Sequence, residues 1–198
     1  MPSKPVRALA LALGLLLGAC STTRIVDSWT APDLTPSDLQ FHHVVAIAAL
    51  ADPTSQRVAE DAVAQAATRT RVTPAYEILT PADRGDPELL RAALAKAGVD
   101  GAVTVRLLGV DERTTYVPGT TRLVGGGYYG YYGSVIYEPG YYRTDRVVRV
   151  ETTLHDVASG KLLWSGVSES INPANVRQVV AEIVAAARAD LKKQGLLP

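Results

Sequence analysis

Three dipeptides divide the chain: Asp52-Pro53, Asp86-Pro87 and Asn172-Pro173. An Asp or Asn side chain accepts from the first free N–H groups of a helix. Proline suits the first helical position, where its missing N–H would have no partner anyway. Each dipeptide is followed by apolar residues at helical spacing. The first stripe is Val58, Ala62, Val63, Ala66 and Ala67, and predicts a helix to about residue 70. The second is Leu89, Leu90, Ala93, Leu94 and Ala97, with Gly98 as a stop, and predicts a helix over about 87–97. The third runs through Val176, Val179, Val180, Ile183, Val184, Ala187 and Leu191 and stops at Gly195.

The segments between these helices read as strands. Val44 to Leu50 is continuously apolar, which suits a strand buried on both faces. Tyr76 to Leu79 is a short strand candidate after Pro74. Gly101–Val110 and Val147–Val157 alternate with period two; in the second, Val148, Val150, Thr152 and Leu154 share a face opposite Arg149, Glu151, Thr153 and His155. Ala158-Ser159-Gly160-Lys161 predicts a hairpin turn, and Leu162–Val167, carrying Trp164, returns as the next strand. The fold class is therefore α/β (α+β): a single mixed sheet in the order β-α-β-α-β-β-β-α, parallel in its first half and antiparallel in its second.

One segment departs from this plan. Between Tyr116 and Tyr142 lie eight of the nine tyrosines and seven of the sixteen glycines. It predicts a long Tyr/Gly-rich insertion between two strands, at about 114–146, far beyond the usual connection of about 4–6 residues. Tyrosine brings large area with a hydrogen-bonding tip at low entropic cost, and glycine lets the backbone adapt. Tyr128, Tyr129, Tyr131, Tyr132, Tyr137, Tyr141 and Tyr142 are the candidate partner contacts. Two readings stay open: a contact surface, or a low-complexity loop whose tyrosines pack on the nearest sheet face.

Charge narrows the partners. Twenty basic and twenty acidic side chains cancel, which excludes the basic surplus of a nucleic-acid binder. One cysteine, Cys20, excludes an internal disulfide and a cysteine-cluster metal site.

The first nineteen residues form a secretory signal. Lys4 and Arg7 open it, and Ala8 to Leu17 supply an apolar run too short to span a bilayer. Leu17-Gly18-Ala19-Cys20 then resembles the lipobox of bacterial lipoproteins. That resemblance implies cleavage before Cys20 and acylation of its thiol by diacylglycerol (palmitate-type chains), with Cys20 as the lipidation site. Each buried methylene contributes about 0.8 kcal/mol, so several chains hold a protein at a membrane without a spanning helix. Without Lys4 and Arg7 the chain keeps 18 basic against 20 acidic groups, so charge alone would not attract it to anionic lipid. In Gram-negative lipoproteins an aspartate after the cysteine signals inner-membrane retention. Ser21 therefore implies the outer membrane, facing the periplasm. The expected organisation is 1–19 signal peptide, 20–41 lipidated tether with a short edge strand around Ile25–Trp29, and 42–198 a single mixed α/β domain.

The element order resembles the small α/β domains of other envelope proteins, such as penicillin-binding-protein activator lipoproteins and the amino-terminal domain of the Tol system's propeller protein. In sequence the chain resembles a set of uncharacterised Gram-negative envelope lipoproteins. The shared features are the Asp27-Ser28-Trp29 start, the Tyr/Gly-rich middle and the run from Asp156 through Gly160 to Gly166. The resemblance implies an envelope location and brings no activity.

Candidate chemistry is sparse. Gly125-x-Gly127-x-x-Gly130 formally matches a dinucleotide fingerprint but lacks the helix that would meet the pyrophosphate. His42 and His43 are adjacent, so on a strand they face opposite ways; His155 sits beside Asp156 on a strand face; Asp111 and Glu112 read as strand-end charges. Neither a Gly-x-Ser-x-Gly elbow nor a His-Glu-x-x-His helix occurs. The sequence points to no cofactor, no metal and no catalytic residue. The expected function is a non-enzymatic, lipid-anchored periplasmic module that binds another envelope protein or cell-wall component. The alternative is an enzyme acting on cell-wall material through a site the sequence does not display.

Overall fold

The computed structural model describes residues 22–124 and 134–198. Among these residues eight strands and five α-helices fold as mixed α+β around one large sheet. The strands are β1 (Thr23–Thr30), β2 (His43–Ala49), β3 (Arg71–Pro74), β4 (Gly101–Val117), β5 (Thr120–Val124), β6 (Ser134–Glu138), β7 (Tyr141–Asp156) and β8 (Leu162–Ile171). The helices are α1 (Pro53–Ala66), α2 (Ala75–Ile78), α3 (Pro81–Gly85), α4 (Pro87–Lys96) and α5 (Val176–Lys193). Six strands make one sheet in the order β1-β8-β7-β4-β2-β3, and β5 and β6 make a second of two. β2 runs parallel to β3 and β4; the other pairs are antiparallel.

The two faces of the sheet are covered unequally. On one, Ala59, Ala62 and Val63 of α1 and Val179, Val180 and Ile183 of α5 close over Ala46, Ala48, Val105, Val148 and Val150. On the other, Ala75, Leu79 and Leu94 cover Val45, Ala102 and partly buried Ile47 at the parallel end. Over β7, β8 and β1 that second face carries ion pairs instead: Arg106–Glu151 at 2.7 Å, Arg149–Asp111 at 2.9 Å and Arg24–Glu169 at 3.2 Å. Exposed pairs of this kind contribute about 0–1 kcal/mol each, so the helix-covered face holds the fold.

Two helix starts follow the sequence. The Asp52 carboxylate accepts from Ser55 N at 2.7 Å, and that of Asp86 accepts from Glu88 N at 2.8 Å. The third does not. Asn172 sits in the left-handed region (φ 50), where asparagine is tolerated. Its Oδ1 accepts from Arg146 N at 2.7 Å and its Nδ2 donates to Asp145 at 2.8 Å, so its side chain is taken up by the neighbouring strand. Asn175, three residues later, is the true cap, accepting from Gln178 N at 2.9 Å.

Tyr76 to Leu79 is not a strand either; α2 occupies Ala75–Ile78. The reason is Glu60, a fully buried carboxylate on α1. β3 pairs with β2 only as far as Ala46↔Pro74. Beyond that rung Glu60 accepts from Ala48 N at 3.2 Å and Tyr76 N at 2.9 Å, replacing the absent strand. Arg84 of α3 donates to the same carboxylate at 3.1 Å.

Residues 23–40 belong to the folded body rather than to a tether. β1 extends the predicted edge strand to Thr23–Thr30 and pairs with β8. Ala31 N donates to Leu163 O at 2.9 Å, and Leu34 and Leu39 pack with Ile25 around Trp164. The Trp164 ring is buried, and its indole N–H donates to Asp190 of α5 at 3.0 Å.

The insertion is largely strand. β4 and β7 stay paired from Gly101↔Asp156 out to Val117↔Tyr141, and β5 pairs with β6 beyond them. Only Gly101–Arg106 of β4 has β2 as a second neighbour. β8 pairs with β7 only as far as Val147↔Ile171, so from Glu112↔Arg146 outwards the two strands form a ribbon, preceded by a bulge at Leu108 between Leu107 and Gly109.

Candidate functional site

The arm and the chain's entry share one end of the body. Thr23, Ser170, Val148 and Val110 are successive partners across β1, β8, β7 and β4. Thr22 lies just outside this row, its carbonyl accepting from Ile171 N at 3.2 Å. Thr22 and Thr23 are tied to α5 through Glu182, which accepts from Thr23 at 2.7 Å and Thr22 at 3.2 Å. Burial pushes the Glu182 carboxyl up, but hydrogen bonds from Thr23, Gln178 and Thr22 hold it below its usual range. The arm leaves on the same side of the row, at Glu112 and Arg146.

Two opposed Pro-Gly pairs articulate the arm. Pro118-Gly119 follows β4 and Pro139-Gly140 precedes β7, facing each other between the rungs Val117↔Tyr141 and Thr120↔Glu138. A Cβ on Gly119 would stand 2.5 Å from the Glu138 carbonyl, and one on Gly140 would meet the Tyr116 hydroxyl. Only glycine lets the strands approach this closely. Proline removes a ladder donor on each strand, so the ribbon divides here into β4–β7 and β5–β6.

Tyrosines line the arm on both sides of this point. Tyr116 and Tyr142 are directly opposed, with ring centroids 5.1 Å apart and planes at 53°. Tyr142 is 75% exposed, Tyr137 68%, Tyr141 57% and Tyr116 55%. Tyr141 alternates with Tyr142 and so presents the other face of the ribbon. The described tyrosines of the arm are thus exposed rather than buried against the body. Tyr128, Tyr129, Tyr131 and Tyr132 lie outside the described residues, as does Cys20. Tyr116 belongs with the contact candidates through its register with Tyr142, a relation visible only once β4 and β7 are paired.

At the root of the arm lies a cleft of about 370 Å³. Its floor is Val105, Leu107, Val110, Val148 and Val150 of the sheet, and its roof is the first turns of α1 and α5. Arg146 stands at its rim. Next to it Asp145 is held below the usual carboxylate range, chiefly by the Asn172 amide and, against some burial, by Arg143 at 2.9 Å. The cleft arises because β4 and β7 run on past the N-termini of both helices. Sequence alternation placed Leu107 with Val103 and Val105, but could not show that the helices stop short of it.

The three histidines and Asp111 have partners within the fold. His42 and His43 do face apart: His42 Nδ1 lies 3.1 Å from Asp100, and buried His43 lies 2.8 Å from Thr73 Oγ1. His155 lies 3.0 Å from Thr153 Oγ1, and Asp111 pairs with Arg149. Among the described residues, no three His, Cys, Asp or Glu side chains are grouped to hold a metal ion. Among the same residues no helix is long and apolar enough to cross a membrane.

No protein-family model matches the chain, and no curated protein matches it in sequence. Solved structures similar to it include a PelC dodecamer from Paraburkholderia phytofirmans, at 14% identity over 83% of this chain and 94% of that one, with a TM-score of 0.43. Lipoprotein GNA1162 from Neisseria meningitidis is similar at 15% identity over 76% of this chain and 98% of that one, with a TM-score of 0.41.

Proposed function

We propose that the protein is a lipid-anchored, non-enzymatic binding module of the bacterial envelope, held at the periplasmic face of the outer membrane by acyl chains on Cys20. Its contact surface for another envelope component is the tyrosine-bearing arm. The observation that carries this reading is the arm itself: a ribbon that outruns the sheet and exposes Tyr116, Tyr137, Tyr141 and Tyr142. Exposed aromatic rings are the side chains that interfaces use as anchors. The lipobox pattern at Leu17–Cys20 supports the anchor, and Thr22, two residues further along the chain, lies at the end of the body from which the arm departs. Anchor and contact surface would then act on the same side of the domain.

Two variants test the two halves of this reading. Cys20→Ser should move the protein from the membrane pellet to the soluble periplasmic fraction; retention in the pellet after a high-salt wash would refute the anchor. Joining Arg113 to Asp145 through Asn-Gly removes the arm at a directly opposed pair, which a two-residue turn can close. The shortened domain should keep its melting temperature and lose its crosslinked partner in cells. Unchanged partner capture would refute the arm as contact surface.

A further inference from the structure

We infer that the cleft at the root of the arm is a binding site for a fatty-acid anion, its acyl chain between the sheet and the helix ends and its carboxylate on Arg146. The walls define the tail's chemistry: Leu107, Val110, Val148, Val150, Val176 and Val179 enclose about 370 Å³ with few polar atoms. A space of this size and lining suits one alkyl chain. The rim defines the head. The Arg146 guanidinium, among the described residues, makes no ion pair and no side-chain hydrogen bond. Its backbone is held on both sides by Asn172, which accepts from Arg146 N at 2.7 Å and donates to Arg146 O at 2.8 Å. A planar guanidinium whose backbone is held at the mouth of an apolar cleft, and whose donors are free, matches a carboxylate bidentately.

Neither acidic group nearby forms an ion pair with it. Glu112 is directly opposite Arg146 on β4 without forming an ion pair with it, and Asp52 is committed to capping α1 through Ser55 N. The location also suits a membrane-derived ligand. Ile171 N donates to Thr22 O, and Pro173, two residues on from Ile171, lines the cleft. Cys20 is two residues from Thr22, a reach of at most about 7 Å. This last point rests on the anchoring reading above; the charge and the lining do not.

The test is calorimetric titration of the full chain carrying Cys20→Ser, which has no acyl chain of its own, with laurate below its micellar concentration. The expected result is saturable 1:1 binding, tightened up to about fourfold for each methylene added from octanoate to laurate. Arg146→Gln should weaken laurate at least tenfold without lowering the melting temperature. Dodecyltrimethylammonium, with the same tail and the opposite charge, should bind at least tenfold more weakly than laurate. Leu107→Trp fills the cleft from a half-exposed position on its floor and should abolish binding in a chain that still melts normally. Any of four results would overturn the inference: no saturation, equal affinity for the cationic tail, laurate binding untouched by Leu107→Trp, or a wild-type dimer that Leu107→Trp splits. The last would show a second copy covering the cleft. Because the tested chain has no anchor, failure here leaves the anchoring reading standing.

Discussion

Arg84→Met isolates the buried carboxylate that redirects the chain after β3. Glu60 is fully buried, and its side chain receives Arg84 at 3.1 Å as well as the amides of Ala48 and Tyr76. Removing one partner of a buried ion pair costs about 3–5 kcal/mol, because the other charge is left uncompensated. The Arg84 side chain is 25% exposed, so water screens part of the loss and the lower end applies, about 3 kcal/mol. For a domain of this size that lowers the melting temperature by about 6–12 °C. Glu60→Gln should cost less alone, since one amide oxygen still accepts and the charge left behind, on Arg84, is partly exposed to water. The double variant should therefore regain at least about 1 kcal/mol relative to the sum of the single variants. Urea unfolding followed by far-ultraviolet circular dichroism measures all four states. Additive single and double variants would refute the argument that Glu60 and Arg84 act as a unit.

Other perturbations probe the two helix layers and the sheet edge. Ile183→Asp puts a charge at a fully buried position on α5 and should unfold most of the population, whereas Arg177→Asp on the exposed side should shift the melting temperature by only a few degrees; equal melting temperatures would refute the docking of α5. Burial pushes the Asp100 carboxyl up, but the amides of His42 and His43, bonding at 2.8 and 2.9 Å, hold it below its usual range. A depressed pKa contributes stability above the ordinary carboxylate value that is lost as pH falls through the folded one. Asp100→Asn should thus be destabilising near neutral pH, with the gap to wild type closing below about pH 4; a gap constant from pH 7 to 3 would contradict this.

What the sequence displayed was local, and what it concealed was pairing. Asp52 and Asp86 cap their helices because a cap needs only residues within one turn. Asn172 misled because its side chain bonds Arg146 and Asp145, residues a whole hairpin away. Tyr76–Leu79 has strand composition, yet the carboxylate of Glu60 takes the amides of Ala48 and Tyr76, and nothing in the local pattern announces it. The segment before Phe41 looked like a tether because its prolines break periodicity, while its three apolar anchors, Ile25, Leu34 and Leu39, meet Trp164 only through tertiary packing. In the arm the composition was plain, and the paired Pro118-Gly119 and Pro139-Gly140 stood in the sequence as a symmetric signal. Their meaning depends on register: twenty-one positions apart, they face each other only when β4 and β7 are zipped out to Val117↔Tyr141. The cleft was less legible still, since it exists where two helices begin later than the strands beneath them end.

The arm's role as contact surface is tested most directly by a photoreactive amino acid placed in living cells at Tyr137 or Tyr142, with Arg188 and Lys193 on α5 as exposed references. The account predicts a discrete crosslinked adduct from the two arm positions and none from the helix. Adducts of equal yield from the helix and the arm, or from the helix alone, would contradict it.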